Sequence, residues 1–102
     1  MSSNWGTITG MRAARRDKSE PEIVAFWRSV GALWIPMGPD AGFDGLLVYR
    51  GQTYIVEVKT PGPWKLTPHE VETSARVEFQ GVRYHIVETV EAAARLIGLD
   101  VI

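Results

Sequence analysis

Apolar residues along this chain switch between two periods. Ile23, Val24, Phe26, Trp27 and Val30 recur at the three-to-four spacing of one helix face. Ser19 stands ahead of them as a cap, Pro21 sits in the first turn and Glu22 completes a capping box. Gly31 stops the run, so a helix is expected from about Ser19 to Val30. Ala32-Leu33-Trp34-Ile35-Pro36 reads as a strand, and Met37 to Phe43, with Gly38, Pro39, Asp40 and Gly42, as a loop. Two short runs rich in β-branched and aromatic residues follow, Leu46 to Tyr49 and Thr53 to Val58, on either side of Arg50-Gly51. That is a hairpin signal. Thr60 to Lys65, with two prolines, predicts a stiff loop. Thr67, Pro68 and Glu70 then open a second helix reaching about Val77. Arg83 to Val87 is the last strand, and Thr89 caps a third helix, Val90 to Ile97, ended by Gly98.

The expected element order is αβββαβα. Three sequential strands make a meander, and the helix after the third makes the last strand run parallel to it. The result is a mixed four-stranded sheet with flanking helices, a small α/β sandwich. Residues 1–14 are expected to form a flexible N-terminal segment, because Met1 to Thr9 carry no clear period. Residues 15–102 form one domain.

Composition narrows the function classes. At 45% apolar and 23% charged residues the chain is ordinary for a globular protein. No apolar run approaches the ~20 residues of a membrane helix, and the N-terminus has no signal-peptide pattern. The absence of cysteine excludes disulfides and thiolate zinc sites and is compatible with a cytoplasmic setting. His69 and His85 alone are a poor basis for zinc. Net charge is −1, so no global basic signal for nucleic acid exists. A local one does: Arg12, Arg15, Arg16 and Lys18 cluster before the first helix, either as a phosphate-binding patch or as a solvated tail.

Within the hairpin stand three charges that the hydrophobic effect would not place there: Asp44, Glu57 and Lys59. With a two-residue loop at Arg50-Gly51, each pair of opposed positions sums to 101, and Asp44 falls opposite Glu57. Directly opposed residues have Cβ atoms roughly 4.5–5.5 Å apart. Glu57 and Lys59 share a face, about 6.8 Å apart along the strand. Two opposed carboxylates are destabilising unless a positive group lies between them. A hard divalent cation with oxygen ligands suits the position. Lys59 adds a second cation, suited to a water or a phosphate oxygen, and the set fits metal-dependent phosphodiester hydrolysis. The competing reading is a solvated strand end with a weak surface pair. Arg50 fits a type I′ turn poorly, because both central residues need positive φ. A three-residue loop would slip the register by one, and a bulge would then be needed to restore the convergence.

Asp44 followed by Glu57-x-Lys59 on the next strand resembles the PD-(D/E)XK nuclease motif. The wider frame resembles its VRR-NUC branch: Glu20-Pro21-Glu22 opening a helix, Gly42-Phe43-Asp44-Gly45-Leu46-Leu47, Val56-Glu57-Val58-Lys59, and Leu66-Thr67-Pro68 opening a second helix. The resemblance covers about Arg15 to Leu96. It departs from the family at Phe43, where proline is usual before the motif aspartate, and at Glu70, where glutamine is usual. It implies a restriction-endonuclease-like fold and a Mg²⁺- or Mn²⁺-dependent DNA endonuclease acting on branched or otherwise structured DNA in phage or repair metabolism. Asp44, Glu57 and the Val58 backbone carbonyl would bind metal, and Lys59 would orient or help deprotonate the attacking water.

Other residues stay open between two roles. Glu20 either joins the metal site or merely places a favourable charge at a helix N-terminus. Glu70 either approaches the metal or only caps its helix. Trp64 and Lys65 lie where they could meet nucleic acid beyond the active strand, the other reading being Trp64 packed over the sheet edge. Duplex cleavage by so small a chain favours a homodimer. No small-molecule cofactor or membrane partner is expected. A nucleic-acid-binding module with the same fold but no catalysis is the alternative, and a dimerisation protein using Trp5 and Trp64 a third reading.

Overall fold

The computed structural model describes residues 17–100, so Trp5, Arg12, Arg15 and Arg16 lie outside the described residues, as does the whole of the segment 1–14. The chain runs α1 (Glu20–Ser29), β1 (Leu33–Pro36), a 3₁₀ turn (Pro39–Ala41), β2 (Gly45–Tyr49), β3 (Gln52–Val58), α2 (Pro68–Phe79), β4 (Tyr84–Val87) and α3 (Val90–Leu96). The sheet order is β1-β2-β3-β4, antiparallel across the first two pairs and parallel between β3 and β4. This is the mixed α/β architecture expected from the hydrophobic pattern.

Strand alternation sorts the side chains into two layers. Trp34, Leu47, Val56, Val58 and Val87 face α1 and α3, where Ile23, Val24, Trp27, Ala93 and Ile97 complete the core. Trp27 stacks on Trp34 with ring centroids 5.2 Å apart, and its indole N–H donates to the Ala93 carbonyl across 3.1 Å. That bond lets a large aromatic be fully buried without an orphaned donor. Full burial of side chains such as Leu47 or Val56 stabilises the fold by roughly 1.5–3 kcal/mol each. The other face of the sheet receives α2, which has no buried residue of its own. Leu33 and Ile35 are left exposed on that side.

The hairpin closes with Tyr49 opposite Gln52, so every paired position sums to 101. Arg50 accepts φ of 50° and Gly51 of 80°, which makes the two-residue turn despite the arginine. The Arg50 guanidinium lies 5.1 Å from the Tyr49 ring centroid, a cation–π contact that offsets part of the backbone cost. No three-residue loop and no register slip occurs.

Two helix starts differ in their chemistry. Thr67 forms the full capping box with Glu70 expected of it. Ser19 makes no side-chain cap. It is itself helical in backbone conformation, and its hydroxyl donates instead to the Lys59 carbonyl across 3.1 Å. The Lys18 N–H donates to Thr60 Oγ1 at 3.1 Å. The start of α1 is therefore stitched to the end of β3, next to the charged residues of the hairpin.

Candidate active site

The C-terminal end of β3 places Glu57, and Lys59 just beyond it, on the sheet face away from the aromatic core. Both are nearly sealed from solvent, at 2% and 8% exposure. Such burial is unusual for charged groups unless they are paired. The Lys59 ammonium lies 3.3 Å from Glu57 Oε2 and 3.1 Å from Glu70 Oε1. Glu70 reaches it from the first turn of α2, and the same Oε1 accepts from the Thr67 N–H at 2.9 Å. The helix cap therefore fixes the carboxylate that fixes the lysine.

Asp44 enters differently from what simple register counting predicts. The ladder ends at Gly45 opposite Val56, and the Asp44 N–H donates to the same Val56 carbonyl at 3.0 Å. Two successive residues thus face one, the count that defines a β-bulge. Asp44 Oδ2 then accepts from the Val58 N–H at 2.7 Å, a charge-assisted bond that substitutes for the missing strand carbonyl. Asp44, Glu57, Lys59 and Glu70 still line one cleft of about 290 Å³, together with Asp17, Met37, Phe43 and His69.

Electrostatics of this cleft are dominated by excess negative charge in a desolvated place. Burial pushes Glu57 up to about 9, the Asp44 charge adds to it, and Glu70 raises it further, while Lys59 only partly compensates. One Glu57 oxygen, Oε1, is buried with no hydrogen-bond partner. For Lys59 burial works against the charge, but the hydrogen bond to Glu70 and the charge of Glu57 outweigh it, and its pKa rises. For Glu70 burial would raise the carboxyl, but the Thr67 N–H and Lys59 hold it below its ordinary value. Glu70 is thus the anion that keeps Lys59 charged, and Glu57 the carboxyl left short of a cation.

The donor set suits a small hard cation. An orphaned buried carboxylate oxygen beside a second carboxylate is what a Mg²⁺ or Mn²⁺ ion would satisfy, and such ions use one or two carboxylates and keep several waters. Among the described residues, no group of three or more histidine or acidic side chains forms a ready-made metal cage.

The remaining candidates scatter. Glu20 is 8% exposed and lines a different hollow, with Lys18, Arg28 and Trp34, between α1 and β1. The half-buried Trp64 ring is pinned by its indole N–H to Glu88 Oε2 at 2.6 Å, while Lys65 is exposed. His85 packs edge-on against Tyr54, away from the cleft, with its pKa lowered by burial and by Arg83. Three residues without an expected place here do contribute. Asp17 lines the cleft; His69 donates from Nε2 to the Asp40 carbonyl at 2.7 Å and ties α2 to the 3₁₀ turn. Tyr84 donates its hydroxyl to the Gly42 carbonyl at 2.7 Å. Only the phase of Tyr84 on its strand hinted at this, since that phase puts it on the Glu57 face.

Compared with known proteins, the chain matches no family model and no curated protein sequence.

Proposed function

We propose that this chain is a Mg²⁺- or Mn²⁺-dependent endodeoxyribonuclease that hydrolyses phosphodiester bonds in branched or otherwise structured DNA. The observation that carries the reading is Glu57: a carboxyl buried beside Asp44, with an oxygen that accepts no hydrogen bond, on the wall of an open cleft. Support also comes from the resemblance of Asp44 and Glu57-x-Lys59 to the VRR-NUC branch of the PD-(D/E)XK nucleases.

In this reading Asp44, Glu57 and the Val58 carbonyl hold the cation, which when bound activates water and neutralises charge developing on phosphorus. Lys59 acts as a fixed cation and donor. Its two carboxylate partners hold it protonated, so it orients water or a phosphate oxygen and does not take a proton from it. Glu70 keeps Lys59 in place. Glu20, facing another hollow, is assigned no ligand role. Lys18 and Lys65, with Arg12, Arg15 and Arg16, supply phosphate contacts, and Trp64 an aromatic edge. Cutting both strands from a chain with one such centre favours a homodimer. A cytoplasmic setting, in the host if the chain is phage-encoded, goes with this reading; among the described residues no helix is long and apolar enough to cross a membrane.

The second reading is a nucleic-acid-binding module that kept the fold without catalysis. The Asp44–Val58 hydrogen bond favours it, because one carboxylate oxygen is already used to finish the strand. The two separate in a cleavage assay on duplex, flap and four-way DNA with Mg²⁺, Mn²⁺ or chelator. Asp44→Ala, Glu57→Ala and Lys59→Ala are expected to abolish metal-dependent cutting while the circular dichroism spectrum stays that of a folded chain. A parent protein that binds these DNAs but cuts none would establish the binding module instead.

A further inference from the structure

The segment that carries Asp44 is held from outside its own strand. Tyr84 opens β4, is 6% exposed, and donates its hydroxyl to the Gly42 carbonyl two residues before Asp44. Gly42 itself has φ of 82°, and a Cβ at that position would collide with the Thr73 side chain of α2. The loop entering β2 is therefore pressed between one helix and one strand, with the Tyr84 hydroxyl as its polar fixing point.

The same hydroxyl stands next to the second carboxylate. Ile55 pairs with Tyr84 and Glu57 with Ile86, so the parallel register puts Tyr84 on the Glu57 face, one pair earlier. The Tyr84 hydroxyl is buried within the field of the Glu57, Glu70 and Asp44 carboxylates. One phenol oxygen thus touches the loop bearing Asp44 and faces the side chain of Glu57. Packing alone does not call for it: phenylalanine would fill the ring's space and spare a buried polar group the need of a partner. Asp44 has left the regular ladder but still bonds Val56 and Val58 on either side of Glu57, so its approach to Glu57 depends on those two bonds and on the course of the loop that delivers it.

We propose that Tyr84 is a positioning residue that sets the distance between Asp44 and Glu57 by anchoring the Gly42 carbonyl, and so tunes the affinity of the pair for a divalent cation. The inference rests on the metal-site reading above. It makes Tyr84 an outer partner of the ligand set and gives it no contact with the substrate. Removing an outer partner of this kind typically weakens metal binding by 10–100-fold.

The test is Tyr84→Phe, which deletes one oxygen and keeps the ring. Mn²⁺ and Mg²⁺ are titrated against parent and variant by calorimetry and by melting temperature, with no DNA present. The variant is expected to bind at least about tenfold more weakly. The metal concentration for half-maximal cleavage of branched DNA should rise by the same factor, with the rate at saturating metal restored. Trp27→Phe is the control: it removes a buried hydrogen bond on the opposite face of the sheet and should lower the melting temperature without moving metal affinity. Parent-like metal affinity in Tyr84→Phe, or equal weakening in both variants, would reduce the hydroxyl to a structural tie and overturn the proposal. A parent that binds metal, with affinity lost in Tyr84→Phe, but cuts no DNA would leave the positioning role standing and remove the nuclease. A parent that binds neither ion would overturn both.

Discussion

Replacing Glu57 by glutamine tests the electrostatic account most directly. Glutamine has nearly the same shape, cannot ionise, and can still accept from Lys59. In the parent the folded-state pKa of Glu57 is about 9, against an ordinary value of 4.5. A raised carboxyl favours folding below its unfolded pKa and loses that contribution as pH climbs through the folded pKa. The parent should therefore weaken steadily between about pH 4.5 and 9, whereas Glu57→Gln should not share that loss. Each pH unit in this window is worth at most about 1.4 kcal/mol. Solvent relaxation around an open cleft reduces this, so a gain on the order of 1–3 kcal/mol for the variant at pH 7 is expected in chelator. At ~4–8 °C per kcal/mol for this size, the melting temperature should rise by several degrees. Near pH 4.5 the two proteins should melt together. Adding Mg²⁺ or Mn²⁺ should reverse the order at pH 7 and above. A ligand at about 100 times its dissociation constant stabilises the parent by about 2.7 kcal/mol, and the variant should forgo much of that. Metal binding competes with the proton on Glu57, so the parent's gain should grow from pH 6 toward pH 9. Melting both proteins across this range in chelator and in metal reads all of it. A variant less stable than the parent at every pH, or a difference that does not change with pH, would refute the picture of a carboxyl short of a cation.

Two further outcomes concern DNA and assembly. Reversing the charge of Arg15 and Arg16 should weaken DNA binding without unfolding the domain and reduce the slope of log K against log salt by roughly 0.9 per lost phosphate contact; an unchanged slope would mark a solvated tail. The chain should be a homodimer at micromolar concentration, and a monomeric mass by light scattering throughout that range would count against paired cutting.

Local chemistry made much of the fold legible. Helix stripes and strand runs are short-range patterns, and the turn and capping residues that bound them act within three or four positions. Thr67 and Glu70 satisfy each other inside one helical turn, so their box could be read from spacing alone. Hairpin register followed from loop length, and the sum of 101 held even though Arg50 had to take a left-handed conformation. The sequence order also placed β4 beside β3, because a helix between two strands leaves few other connections.

What spacing could not reach are the contacts made between elements. Ser19 looked like a helix cap and became a tie to β3, since the Lys59 carbonyl offered its hydroxyl a partner 40 residues away. Register counting set Asp44 opposite Glu57. The bulge at Val56 moved it off the ladder, and the Val58 N–H captured one of its oxygens. Glu70 could be read as a cap, but its second role on Lys59 depends on how α2 folds back over β3. Tyr84 and Gly42 lie 42 residues apart, and no pattern along the chain joins them. The sequence by itself determined which elements form and which strand face carries the charges, because those follow from periodicity and burial. The tertiary structure alone decided the separation of the carboxylates, the partner of each charge and the shift on Glu57. Those depend on desolvation and on distances of a few ångströms between segments that only packing brings together.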